Sequence, residues 1–397
     1  MITNLRMPVE GHARAQQSPH LLTLTPFYPV RNDDAQGCFV AEPLRWVERM
    51  GVVNTVIAVR PFYYSRVRAN ESAVPARWSH FFSLPGGFGL PTAGAFLYAH
   101  ILRQVRALHR ARPVHLIHAH APLPCGHAAA LLSRELGIPF VVTVHGLDAF
   151  SIKQAGGRAG QWCKRVARWV YGSAREVICI SEKVREQVLE GGATVRTAVV
   201  HNGVDSQVFS PREEPRGAEV LLSVGNLIPI KGHELLLRAF GAIQHRFPGL
   251  SCEIIGDGPE RSRLSGLAAE LNLAGKTRFL GRRNRAQVAE AMQGCTIFAL
   301  PSEYEGLGCV YLEAMSAGKP VIGCRGQGIE EVIRHGVNGW LVEPRDLQGL
   351  TDALNELLEN PQRRQQMGEA ARRTILGGFT LAHQAERLAR LYRECAA

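Results

Sequence analysis

Two glutamates, Glu305 and Glu313, flank the turn Gly306-Leu307-Gly308 in the stretch PSEYEGLGCVYLEAMSAGKPVIG (301–323). A helix that starts at such a turn presents free backbone N–H groups and draws anions. A fixed carboxylate beside that site would repel phosphate, so the two acids need hydroxyls as partners. Sugars and riboses carry hydroxyls. The loop SVGNLIPIKG (223–232) ends a strand-like run and sets Lys231 beside the first turn of the next helix. A cation there opposes the helix dipole, unless a phosphate lies between them. IGDGPE (255–260) is a further glycine turn into a helix, with Gly256 at the strand end and Pro259 in the first turn. Each loop alone has a geometric explanation. Three at one sheet edge point to a ligand bearing both phosphate and hydroxyls.

The elements that must position these loops alternate along the whole chain. Strand-like runs fall at 20–27, 52–60, 114–120, 139–146, 176–181 and 197–203, with helix-period stretches between them. The segment 203–218, GVDSQVFSPREEPRGA, breaks the rhythm with prolines and mixed charge. Strands resume at 219–225, 251–256, 277–281, 295–301 and 320–324, again alternating with helices that include 307–317 and 328–335. Near-continuous apolar strands separated by helices imply parallel sheets covered on both faces. The expected fold class is α/β, with two doubly wound Rossmann-like domains facing each other across a cleft. The boundaries read as a first domain over 1–202 with a loose polar tail to residue 19, a linker over 203–218, and a second domain over 219–377. A C-terminal helix over 378–397 returns to the first domain.

At 397 residues and 46% hydrophobic composition the chain is globular and too long for one ordinary core. No apolar run reaches the roughly 20 residues of a membrane-spanning helix, and the opening residues lack a signal peptide's apolar stretch. The nine cysteines are scattered, odd in number and without a Cys-x-x-Cys pair, so a cytoplasmic chain without disulfides or metal is expected. The net charge of +11 falls entirely in residues 1–200, while 201–397 balance to zero. Such asymmetry calls for an anionic partner, either nucleic acid or a membrane surface.

Taken together, GNLIPIKG, IGDGPE, FLGRR and PSEYEGLGCVYLEAMSAGKPVI resemble the nucleotide-sugar domain of the retaining glycosyltransferases of family four, which have the GT-B fold. TVHGLD (143–148), HNGVD (201–205) and DAQGCFV (34–40) are similar to that family's acceptor-domain and hinge motifs, so the likeness covers nearly the whole chain. It implies a donor of UDP- or GDP-sugar type, no cofactor and no metal. Catalytic roles would fall to His145, Lys231 and Glu305. Glu313 would bind ribose hydroxyls, Glu305 the hydroxyls of the transferred sugar, and Lys231 the leaving diphosphate. The backbone of Gly306, Leu307, Gly308, Cys309 and Val310 would lie along sugar and diphosphate, with Asn226 and Gly256 on the neighbouring turns. Gly37 would let backbone approach the donor across the cleft, His145 would contact the sugar near its reacting carbon, and Arg282 or Arg283 would lie beside the base. One departure stands out: where the family more often has an arginine that shares the diphosphate, this chain has Asn226, an amide dipole in place of a forked cation.

The resemblance also implies an acceptor saccharide, here read as lipid-linked or glycolipid and destined for cell-surface polysaccharide. The basic excess then suits an anionic membrane on the cytoplasmic side, with no role for nucleic acid. Rival readings are a non-catalytic two-domain sugar- or nucleotide-binding protein and a nucleotide-dependent oxidoreductase. The latter needs a Gly-x-Gly-x-x-Gly turn after a strand, and GGFGLPTAG (86–94) does not follow a strand that opens such a unit. The pair His118 and His120 reads as a hydrogen-bonded strand end without a third metal ligand. Asp33-Asp34 reads as a solvated loop. The stripe Trp162, Val166, Trp169 and Val170 on a basic amphipathic helix reads as core.

Overall fold

Strands apolar on both faces are stable only with helices over each of them, and that constraint shapes both halves. The computed structural model describes residues 18–30, 34–64, 74–85, 89–149, 156–190, 195–212 and 219–396. The tail through residue 17, Asp33, residues 86–88 of GGFGLPTAG and linker residues 213–218 lie outside that set. The first half holds β1 (His20–Thr25), β2 (Val53–Pro61), β3 (Ala76–Phe81), β4 (Leu116–His120), β5 (Phe140–Val144), β6 (Glu176–Cys179) and β7 (Thr197–Val199). They form one parallel sheet in the order β3-β2-β1-β4-β5-β6-β7. The second half holds β8 (Val220–Val224), β9 (Ser251–Ile255), β10 (Thr277–Gly281), β11 (Ile297–Ala299), β12 (Val321–Cys324) and β13 (Trp340–Val342). These are also parallel, in the order β10-β9-β8-β11-β12-β13. Every residue of β1, β4, β5 and β8 is buried.

Each sheet reverses its strand order once, between β1 and β4 and between β8 and β11. Ligands of open α/β sheets bind outside the carboxyl ends of the strands at such switch points. The switch point of the second sheet lies between the loops that carry Lys231 and Glu305, and that of the first beside His120.

The first-half helices are α1 (Cys38–Arg49), α2 (Leu90–Ala111), α3 (His127–Leu136), α4 (Gly157–Ser173) and α5 (Glu182–Glu190). Those that follow are α6 (His233–Ile243), α7 (Arg261–Glu270), α8 (Arg285–Gly294), α9 (Cys309–Ser316), α10 (Leu347–Glu359), α11 (Pro361–Gly378) and α12 (Leu381–Ala396). The last of them, α12, buries Ala385, Leu388, Ala389 and Tyr392 against Leu21, Leu116, Val141 and Ile178 of the first sheet. The C-terminal helix thus returns to the first domain. At the crossover the Val204 N–H donates to the Phe379 carbonyl (3.0 Å) and the Leu381 N–H to the Val204 carbonyl (3.0 Å). Val204 and Phe209 are buried, and the Phe209 carbonyl accepts from the Ser316 hydroxyl of the second domain (2.7 Å). No described helix is long and apolar enough to cross a membrane.

Several sequence-based expectations need correction. β3 and β13 were not read from the sequence: β3 is a half-exposed edge strand and β13 has three residues. GGFGLPTAG comes after β3 in the chain. What separates it from a dinucleotide-binding unit is that β3 is the outermost strand, away from the switch point. The helix expected over 328–335 is reduced to a 3-10 turn, Gly328–Glu331, where Gly328 lies against the Gly306 carbonyl. On α4 the core face is made by Ala159, Cys163, Ala167 and Val170, whereas Trp162 and Trp169 are 47% and 39% exposed. Small side chains let α4 lie close to Leu123 and Leu90 on that face, and the bulky indoles turn outward.

Candidate functional site

Two turns at the carboxyl ends of β8 and β11 bring the central residues together. After β8, a 3-10 turn (Pro229–Lys231) lifts Lys231 toward the β11 loop. Its Nζ donates to Glu305 Oε1 at 2.6 Å, and the Ser302 hydroxyl donates to the same oxygen at 3.0 Å. The Glu305 carboxylate is buried and its backbone N–H is held by Gln327 (3.1 Å). Glu305 therefore has one oxygen committed to Lys231 and one left for a further donor. Gly306, Leu307 and Gly308 follow directly, and Cys309 and Val310 open α9. Among the described residues the amides of this turn point along a helix start with no side-chain cap, an arrangement suited to an anion.

Glu313, on the second turn of α9, is also buried. Its carboxylate accepts from Arg285, whose guanidinium forms a second, two-pronged pair with Glu42 of α1 (Nε–Oε1 3.0 Å, Nη2–Oε2 2.9 Å). The Arg285 N–H donates to Asp34 at 3.0 Å, and its guanidinium lies over the Phe209 ring at 4.7 Å. Burial opposes the charge on Arg285, but the carboxylates of Glu313 and Glu42 outweigh it and raise its pKa well above the ordinary value. A reciprocal capping box between Asn284 and Gln287 fixes Arg285 as the first residue of α8. Neither Arg285 nor Glu42 was expected from the sequence, and Asp34, read as a solvated loop, bonds across the cleft instead. The exposed Arg282 and Arg283 follow β10 on the same loop. Asn226 is exposed at the end of β8, and the Gly256 N–H at the end of β9 donates to the Gly281 carbonyl (3.0 Å).

From the first domain, His145 follows β5 and reaches the second domain at Gly306. A Cβ on Gly306 would stand 2.6 Å from the His145 carbonyl oxygen, so only glycine permits this approach. The His145 ring packs edge-on against Phe27 (5.7 Å) and Phe39 (4.9 Å), and its Nε2 lies 3.1 Å from His120 Nδ1. Its Nδ1 is buried with no protein partner among the described residues. Gly37 caps α1 at φ +73°, and the space a Cβ would need is taken by the Phe27–Tyr28 backbone at 2.4 Å. The close approach of that backbone is a local reason for glycine at position 37. His118 is bonded at both nitrogens, to Thr143 Oγ1 (2.7 Å) and Tyr392 Oη (2.8 Å). No group of three His, Cys, Asp or Glu among the described residues is arranged to hold a metal.

Burial lowers the pKa of His118 and of His145 to about 3 and that of His233 to about 4, and holds His120 well below its ordinary value. These rings stay neutral when folded and take up protons on unfolding, so stability is lost as pH falls below 6.5 toward those values. Asp148, raised to about 7 by burial, works in the opposite direction with one proton and is outnumbered. The melting temperature is expected to be level from about pH 8 to 7 and to fall steadily below pH 6.5. Differential scanning calorimetry across that range checks it, and a level curve down to about pH 5 would contradict the neutral-histidine assignment.

Residues 206–374 match the family described as Glycosyl transferases group 1, and residues 40–208 match Glycosyltransferase Family 4. An uncharacterized glycosyltransferase of Methanocaldococcus jannaschii is 31% identical over 256 residues, which is 64% of this chain and 69% of that protein. The D-inositol 3-phosphate glycosyltransferase of Corynebacterium urealyticum is 30% identical over 302 residues, 70% of this chain and 71% of that protein. Among solved structures, Anabaena HepE with UDP and glucose superposes with a TM-score of 0.75 at 22% identity, covering 95% of this chain and all of the other.

Proposed function

Because the chain belongs to the GT-B glycosyltransferases of the family-four type, we propose that it moves a sugar from a nucleoside-diphosphate sugar to an acceptor hydroxyl with retention of anomeric configuration. The observation that carries this reading is the Lys231–Glu305 pair, 2.6 Å apart at the uncapped start of α9 and directly below the His145 carbonyl. A diphosphate at that helix start meets backbone amides and one ammonium. A sugar beyond it meets the second oxygen of Glu305 and the Nδ1 of His145, which is neutral and therefore a hydrogen-bonding group rather than an acid.

In this reading the glycosidic C–O bond to the diphosphate breaks as the acceptor oxygen bonds to the same carbon from the same face. The departing diphosphate takes the acceptor's proton. Charge grows on the diphosphate as the bond lengthens, and Lys231 with the amides of Leu307, Gly308 and Cys309 is aimed at it before the reaction begins. Holding both substrates in line supplies much of the remaining acceleration. No metal takes part. Glu313 with Arg285 receives the ribose of a UDP- or GDP-linked donor. The acceptor is a lipid-linked saccharide or glycolipid, and the enzyme works in the cytoplasm on cell-surface polysaccharide.

Purified protein incubated with UDP-, GDP- and ADP-sugars is expected to hydrolyse one of them slowly, with release of the nucleoside diphosphate measured by chromatography. Hydrolysis should survive EDTA. Complete inertness toward all three donors would sink the enzymatic reading, and a loss in EDTA restored by a divalent cation would sink its metal-free form.

A further inference from the structure

Among the described residues, the exposed large aromatic side chains all stand on the first half of the chain. Phe62 stacks on Phe82 (ring centroids 5.5 Å apart, planes 6° apart), and Phe82 meets Phe96 edge-on at 5.0 Å. These three stand after β2, after β3 and near the start of α2. In a parallel sheet all strand carboxyl ends share one edge, and here that edge faces the cleft. The start of α4, which carries Trp162, belongs to the same rim because it follows β5. Along α4, Arg158, Trp162, Arg165 and Trp169 recur at helical spacing on one outward stripe, and all four are exposed.

The charge pattern of this region is equally one-sided. Between Ser72 and Arg175 only two residues are acidic, Glu135 and Asp148, against twelve lysines and arginines. Glu135 offsets a single arginine, Arg106, and Asp148 is buried, so the surface keeps a large basic excess. Arg158 and Arg165 have no carboxylate partner among the described residues. An ordinary solvated face intersperses both signs and few large apolar groups. Tryptophan beside arginine, with acids scarce, is instead the composition of a surface that lies in a membrane interface.

We propose that this rim is a docking surface for an anionic lipid bilayer. Phe62, Phe82, Phe96 and Trp162 enter the headgroup region, and Arg158 and Arg165 meet lipid phosphates. The orientation sets the acceptor side of the cleft against the membrane, so an acceptor can keep its lipid chain in the bilayer while its hydroxyl reaches the Lys231–Glu305 pair. The proposal rests on the lipid-linked reading of the acceptor, but binding itself is measurable without donor or acceptor.

Flotation of the full chain with phosphatidylcholine vesicles, with and without phosphatidylglycerol, tests it. The protein is expected to float with the anionic vesicles at low salt, to be released at high salt, and to ignore pure phosphatidylcholine. Arg158→Glu combined with Arg165→Glu changes four units of charge. At roughly fivefold per unit this lowers partitioning more than a hundredfold, with an unchanged melting temperature. Vesicles should shift tryptophan emission to the blue, and Trp162→Ser should reduce that shift. Absence of flotation with anionic vesicles at low salt, or equal flotation of the charge-reversed variant, would overturn the proposal. So would a concentration-dependent dimer of the protein alone that Phe82→Ser dissolves, since a second copy would then cover the patch. Donor inertness together with intact flotation would strike the enzymatic reading and leave the docking surface standing.

Discussion

Alanine at Lys231 is expected to lower kcat by about a hundred- to a thousandfold, with a change in KM for the donor of less than about tenfold. The ammonium stands beside the uncapped start of α9, where in the proposed reaction negative charge grows only as the glycosidic bond breaks. An interaction that strengthens on the way to the transition state is lost from kcat rather than from ground-state binding. Asn226 sharpens the expectation. It is an exposed amide at the position where the family resemblance implies an arginine sharing the diphosphate, so in the proposed site little remains to compensate for a missing lysine. Steady-state kinetics with the donor found by hydrolysis screening measures the split directly. A loss confined to KM would mean that Lys231 only binds the diphosphate.

The same substitution has a second consequence that must be separated from the first. In the unliganded protein Lys231 neutralises Glu305, whose side chain is only 9% exposed. Removing one member of a buried ion pair leaves the other uncompensated and costs about 3–5 kcal/mol. Lys231→Ala should therefore also melt at lower temperature. Adding Glu305→Gln removes the stranded charge, so the double variant should regain stability while staying inactive. If it regains turnover as well, Lys231 acts only as the counter-ion of Glu305, and its role toward the diphosphate is wrong.

What the sequence disclosed, and what it hid, follows from how local each arrangement is. The two sheets were legible because strands buried on both faces leave unbroken apolar runs, and Lys231 and Glu305 because each sits in a glycine turn at a strand end. The Arg285 bridge was not, since Glu42 and Asp34 lie 243 and 251 residues away from it. In GRRNR nothing in composition separates Arg285 from Arg282 or Arg283. The Asn284-x-x-Gln287 capping box was the one local signal that Arg285 begins a helix. On α4 two apolar stripes overlap in sequence, and the one made of small residues took the core because it permits closer approach. β3 escaped because an edge strand, half exposed, carries no continuous apolar run.

Glu313→Ala is expected to weaken binding of the bare nucleoside diphosphate by about tenfold to more than a hundredfold, the worth of roughly 1.5–3 kcal/mol for hydrogen bonds to a charged group. Glu305→Ala should leave that affinity nearly unchanged and lower turnover instead. The geometry supplies the reason for the contrast. Glu305 lies beside Lys231, where in the proposed site the sugar would follow the diphosphate, and Glu313 lies eight residues on, in the second turn of α9. A carboxylate has acceptor sites on both oxygens. Arg285 occupies Oε1 of Glu313, which orients the group and leaves Oε2 for a ribose hydroxyl. Loss of Glu313 does not strand the arginine, because its two-pronged bond to Glu42 remains. The affinity change therefore reports the ribose contact rather than a collapsed site. Arg285→Ala removes both the orientation of Glu313 and the tie across the cleft to Glu42 and Asp34, so it should weaken the nucleoside diphosphate and raise the radius of gyration in solution scattering. Calorimetry with UDP and GDP on the three variants decides the matter. Equal losses for Glu305→Ala and Glu313→Ala would show that the two acids do not divide sugar and ribose between them.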